Sequence, residues 1–264
     1  MCLVSFSWKQ RADYPLIVVA NRDEFWERPT ARADWWDDHT DIWGGRDLQA
    51  GGTWLAVHKV HGRFAWVTNY REPIEKNSGH PSRGELIPKF LLDTAPVSAF
   101  TSWIETHGKE YQGFNLVYGD QNELWYFSNR LDEPVAQKLE AGLYGLSNHL
   151  LETAWPKVVL AKEKLLAYSE ADKMDPEALL DALTNKEIAR DEEVPDTGIP
   201  FEMEKKLSPV FIDIPEVRYG TRVSTVITLN QDQQISVWEK SWQDQSIKHM
   251  SQTISPNKTE IHQP

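Results

Sequence analysis

The residues best equipped for chemistry stand close to the amino terminus. Cys2 is the only cysteine in 264 residues, and loss of the initiator methionine would make it the first residue. A thiol and a free α-amine would then share one residue, a nucleophile that carries its own base. An α-amine titrates near about 7.7–8, so at neutral pH part of it is free to take the thiol proton. Not far behind comes Asn21-Arg22-Asp23-Glu24, four polar side chains directly after the apolar run Leu16-Ile17-Val18-Val19-Ala20. That pattern reads as a buried strand over residues 16–20 that delivers polar groups at its end. Residues 2–8 are long enough to be its hairpin partner, a pairing that would bring Cys2 close to Arg22 and Asp23.

The elements that must hold this corner follow from the rest of the chain. Residues 25–45 carry Pro29, five acidic residues and four tryptophans without clear periodicity, and the pattern predicts a long surface loop. On that expectation Trp26, Trp35, Trp36 and Trp43 cannot all be internal. A hairpin is expected over 51–57 and 63–69, with Gly51-Gly52 marking a close approach of backbone. Ser82-Arg83-Gly84-Glu85 has capping-box spacing and opens a helix to Leu92, made irregular by Pro88. A second helix runs over 98–107, and a third hairpin over 113–118 and 123–128. Residues 144–148 end another short strand in polar groups. Pro156 opens the longest helix, to residue 169, and Asp175-Pro176 another, to 183. Residues 191–200 read as an exposed excursion, and 222–229 with 234–240 as the last hairpin. Residues 1–242 form one domain, and 243–264 a polar tail that frays. Hairpins throughout, with helices inserted in blocks, predict an α+β layered fold in which two antiparallel sheets face each other with helices outside.

Composition narrows the function classes. Forty acidic residues against 28 basic give a net charge of −12, which argues against a nucleic-acid surface and against docking on anionic lipid. A single cysteine and the lack of a secretory signal in residues 1–11 predict a cytoplasmic protein without disulfides. The longest apolar stretches reach about five residues against the roughly 20 that cross a bilayer, so no membrane span is expected. No His/Cys/Asp cluster has zinc or calcium spacing, and no glycine loop has the sequence of a phosphate cradle.

Taken in order, several segments resemble the NRDE family, also called the transport and Golgi organisation protein 2 family. They are Met1-Cys2, Ala20 to Phe25 with Arg28-Pro29, Gly51 to Leu55, Val67-Thr68-Asn69-Tyr70-Arg71, Gly145-Leu146-Ser147-Asn148, Trp155-Pro156-Lys157 and Tyr219 to Thr225. The likeness covers about residues 1–240. That family looks like a branch of the N-terminal nucleophile hydrolases, which implies a four-layer αββα sandwich. The bile-salt hydrolase and penicillin V acylase group of those enzymes also begins Met-Cys. Carried over by position, Cys2 is the nucleophile, Arg22 and Asp23 the pair after the second strand, Asn69 and Asn148 the two asparagines, and Arg222 the late arginine. Two departures stand out: Arg22 and Asp23 are adjacent where the acylases space them apart, and Val223 replaces a small or hydroxyl residue.

The implied reaction cleaves a linear C–N amide through a Cys2 thioester and needs no cofactor. Arg22 would favour the thiolate, Asp23 would hold the amine, and Asn69 and Asn148 would donate to the oxyanion. Arg222 would balance charge or hold a substrate carboxylate. Taken singly, each residue also has an ordinary structural explanation: a small buried thiol, an ion pair at a strand end, turn asparagines, a cross-sheet arginine. Glu24 reads as a solvated neighbour. The alternative class is a carrier, because members of the family are implicated in haem trafficking and lipid homeostasis. Haem or a lipid-like molecule would then be cargo in the same pocket, under the tryptophan-rich segment, with no iron ligand singled out among His39, His58, His61 and His80.

Overall fold

The computed structural model describes residues 3–73, 79–169 and 174–254; Cys2 lies outside them. The first hairpin joins β1 (Leu3–Trp8) to β2 (Leu16–Phe25), and nearly every residue of both is buried. Such runs, apolar on both faces, belong to strands with a core on either side. The chain then forms β3 (Thr30–Trp35), β4 (Ile42–Asp47), β5 (Leu55–His58) and β6 (Arg63–Asn69). Helices α1 (Leu86–Leu92) and α2 (Val97–His107) precede β7 (Phe114–Gly119), β8 (Leu124–Ser128), β9 (Gln137–Lys138) and β10 (Gly142–Leu146). Helices α3 (Pro156–Ser169), α4 (Pro176–Ala182) and α5 (Phe201–Lys206) follow, then β11 (Asp213–Ile214), β12 (Tyr219–Leu229), β13 (Gln234–Ser241) and β14 (Ile247–Thr253).

The described strands form two antiparallel sheets. One has the order β10-β1-β2-β12-β13-β14, with β11 also paired to β12; the other runs β3 to β9 in chain order. Three cores hold the layers. Phe6, Val18, Ile227 and Val237 of the first sheet meet Trp43, Leu55, Phe64 and Trp66 of the second, with Phe6 edge-on to Trp66 at 5.2 Å. The outer face of the second sheet packs on Leu86, Phe90, Phe100 and Ile104 of α1 and α2. Ile17, Val19 and Val226 on the outer face of the first sheet pack on Val158, Leu165, Leu179 and Leu180 of α3 and α4. A buried polar tie crosses between the sheets: Glu239 of β13 accepts a hydrogen bond from Ala33 N of β3 at 2.8 Å.

Three local expectations are corrected. The second strand does not stop at Ala20 but runs through Asn21-Arg22-Asp23-Glu24, because β12 begins at Tyr219 and pairs with it as far as Tyr219↔Phe25. Residues 25–45 are not a loop; they contain β3 and β4, whose glycines admit close packing. A Cβ on Gly44 would stand 2.7 Å from the Ala56 Cβ. Trp36 and Trp43 are consequently buried, whereas Trp26 is exposed. Residues 191–200 include no buried residue, in line with the expected exposed excursion, and lead into α5. The tail expected to fray from residue 243 instead pairs along β13 as β14, and 255–264 lie outside the described residues.

Gly51-Gly52 does mark a close approach. A Cβ on Gly52 would lie 2.5 Å from Gly84 O, and Thr53 N donates to that carbonyl at 3.0 Å. The helix expected from Ser82 opens as a short 3-10 turn, with the Ser82 hydroxyl accepting from Gly84 N at 3.3 Å, before α1 takes over.

Candidate functional site

Because β2 alternates, its four polar residues divide between two faces. Asn21 and Asp23 face the helical layer. The Asn21 amide nitrogen donates to Leu183 O and Val210 O at 3.0 and 2.9 Å, and its oxygen accepts from the Ser224 hydroxyl at 2.5 Å. Asp23 Oδ1 accepts from the Thr221 hydroxyl at 2.6 Å, and that same oxygen of Thr221 accepts from Ile212 N. Arg22 and Glu24 face the other sheet. The Arg22 guanidinium lies 4.2 Å above the Trp54 ring and 3.6 Å from Glu24, and burial lowers its pKa. Glu24 also meets Arg28 at 3.7 Å, so it sits inside an ion network rather than in open solvent.

Asn69 and Asn148 come together. Asn148 Nδ2 donates to Asn69 O at 3.0 Å, and Arg71 Nη2 donates to Asn148 Oδ1 at 3.3 Å. Both bonds fix the orientation of the Asn148 amide, while the exposed Asn69 side chain projects from the last residue of β6. The two residues line a cleft of about 670 Å³ together with Tyr70, Arg71, Glu72 and Arg130. Arg71 is braced from behind: it is ion-paired to the buried Glu204 and lies 4.9 Å over Trp155. Glu72 and Arg130, which also line the cleft, pair at 2.7 Å.

The register brings the amino end of β1 toward this cleft. Leu3 pairs with Asn21 on one side, and Val4 with Leu146 on the other, two residues before Asn148. Arg222 goes elsewhere. It is the extra residue of a bulge between Thr221 and Val223, and it lines a second cleft, of about 760 Å³, on the far side of Ile212. Its Nη1 donates to Arg28 O at 2.6 Å and toward the Thr30 hydroxyl at 3.4 Å. Thus the structure joins Asn69 to Asn148 and Arg22 to Arg222. Among the described residues no direct contact links these two pairs.

Sequence reasoning gave no role to a relay beside the first cleft. The Thr153 hydroxyl donates to Leu150 O and so accepts from His149 Nδ1–H at 2.9 Å, leaving His149 Nε2 to accept from the Tyr70 hydroxyl at 2.8 Å. Burial lowers the His149 pKa and so favours the neutral imidazole that this arrangement uses. The Arg71–Glu204 pair was equally hidden, because Glu204 lies on α5, a helix that an acidic segment with prolines conceals. The adjacency of Tyr70-Arg71 to Asn69 was the available signal.

A family model described as Transport and Golgi organisation 2 matches residues 1–244. The Transport and Golgi organization protein 2 homolog of Homo sapiens is 34% identical over 94% of this chain and 96% of its own. The Transport and Golgi organization 2 homolog of Mus musculus is 32% identical over 92% and 94%. The Transport and Golgi organization protein 2 of Drosophila melanogaster is 27% identical over 91% and 92%. Among the described residues, no helix is long and apolar enough to cross a membrane.

Proposed function

The chain belongs to the Transport and Golgi organisation 2 family, and from that premise we propose that it is an N-terminal nucleophile hydrolase of αββα architecture that cleaves a linear C–N amide. Cys2, freed by removal of Met1, is the nucleophile. The observation that carries this reading is the position of β1. It is an inner strand, flanked by β2 and β10, and its amino end is directed toward the cleft of Asn69 and Asn148. In the reaction the α-amine takes the thiol proton and the thiolate adds to the amide carbonyl. The Asn69 side chain donates to the oxyanion, and Asn148, already engaged, positions Asn69. Collapse breaks the C–N bond, and the amine leaves with the proton from the α-ammonium. Water then hydrolyses the thioester, releasing a carboxylic acid and restoring Cys2. Arg22 supplies positive charge that favours the thiolate, and Asp23 holds the amine.

The test is an intact mass of the purified protein followed by an amide panel. Loss of Met1, together with turnover abolished in Cys2→Ala, is the expected result. Retention of Met1 in a protein that still hydrolyses amides would overturn the mechanism, and no turnover of any amide by a processed chain would overturn the activity.

Carriage of haem in the same cleft is the second reading, with one observation of its own. His80 on the cleft wall donates from Nδ1 to Glu110 O at 2.7 Å, which leaves the Nε2 lone pair for a ligand. A haem titration that gives a Soret shift in the native chain and none in His80→Ala would favour it; equal shifts in both would remove it.

A further inference from the structure

We propose that the second cleft is a separate binding site for an organic anion with a flat apolar body, whose carboxylate or phosphate is held by Arg222. The bulge creates the anchor. An extra residue in one strand breaks the alternation and re-aims a side chain, and here that residue is Arg222, at the register shift between Thr221 and Val223. Its Nη1 is spent on Arg28 O, Phe25 O and the Thr30 hydroxyl, all of them neutral acceptors. Nε and Nη2 make no hydrogen bond among the described residues.

The other cations of this cleft are answered by carboxylates. Lys186 pairs with Asp213 at 3.2 Å, Arg32 with Asp244 at 3.4 Å, and Arg218 with Glu27. The nearby Glu24 is ion-paired to Arg22 and Arg28 and acts on Arg222 only through its charge at longer range. Arg222 is therefore the cation of the cleft with no carboxylate in ion-pair range among the described residues. A guanidinium keeps its charge under such conditions and offers a fork matched to a carboxylate or phosphate. In a chain of net charge −12, an anion is repelled from most of the surface, so a site whose arginine has no carboxylate in ion-pair range is selective by contrast.

The walls specify the rest of the ligand. Phe211 and Trp242 meet edge to face at 4.9 Å, and the exposed Trp26 stands among the other residues that line the cleft, with Arg218 5.7 Å from its ring. Aromatic faces of this kind take a flat ring system. A volume of about 760 Å³ falls in the ordinary range for a small-molecule site.

The proposal is tested by titration calorimetry of the full chain with 2-naphthoate, 1-naphthyl phosphate and the neutral 2-naphthamide. At least about tenfold tighter binding of one anion over the amide is expected, a charge-assisted hydrogen-bond effect. Arg222→Gln should erase that preference, and whichever anion binds tighter identifies the source as carboxylate or phosphate. Equal binding of anions and amide by the native chain, no binding of any probe, or a preference that survives in a folded Arg222→Gln overturns it. If Arg222→Gln fails to fold, Trp26→Ala decides, since the indole is exposed: all three probes should weaken several-fold, and unchanged affinity overturns the site.

Discussion

The guanidinium groups of Arg22 and Arg222 point to one oxygen, the hydroxyl of Thr30, at 3.3 and 3.4 Å. Two cations on a shared acceptor repel, and Glu24 is the carboxylate whose charge supports both. Glu24→Gln should therefore lower stability by about 1–2 kcal/mol, less than for a fully buried pair because Glu24 is partly exposed. Urea unfolding midpoints would show it, with a larger loss at low ionic strength.

Asn21 fastens two loops to the sheet with one amide. Asn21→Ala should cost about 2–4 kcal/mol, since the Leu183 and Val210 carbonyls and the Ser224 hydroxyl lose their partner in a dry layer. Asn21→Asp should cost more, because a carboxylate has no N–H to give and would face two carbonyl oxygens. Denaturant titration of the three proteins gives the order directly.

Gly52→Ala tests the approach of the 52–53 backbone to Gly84. The added methyl meets main chain rather than a flexible side-chain end, so relief requires displacing the turn that starts α1. A loss of about 2–4 kcal/mol in the same titration is expected.

Glu239 is 2% exposed, and burial pushes its pKa up to about 7 in the folded chain from 4.5. The folded state then holds a proton that the unfolded state gives up, so this contribution is present below pH 4.5 and is lost as pH rises toward 7. Glu239→Gln keeps an acceptor for Ala33 N without the charge. It should be near neutral at pH 4.5 and stabilising by about 1–3 kcal/mol at pH 8. Thermal melts at the two pH values check it, and an equal effect at both would contradict the assignment.

What the sequence made legible followed how strongly each segment depends on its own neighbours. The helix from Pro156 to Ser169 was readable because a proline start and an apolar period are local signals. Both sheets were readable as hairpins for the same reason. β3 and β4 were not, because Gly44 and Gly45 look like breakers and serve instead to admit the Ala56 and Trp54 side chains. β14 was hidden because it is an edge strand with Met250 as its one buried residue, a pattern that reads as solvated chain. The candidate residues could be named one by one from the sequence, but their grouping could not. Nothing in spacing announces that a bulge at Arg222 carries it to Arg22 and into a different cleft from Asn69 and Asn148.

The alternation of Asn21-Arg22-Asp23-Glu24 makes the signature directional. Exchange of Arg22 and Asp23 would keep length, composition and charge, yet present a guanidinium to the Thr221 hydroxyl and a carboxylate to the face of Trp54. A one-residue insertion between Leu16 and Asn21 would turn all four side chains over at once. A change of length is therefore costlier in this stretch than in the turn over residues 9–15, which lies outside both strands.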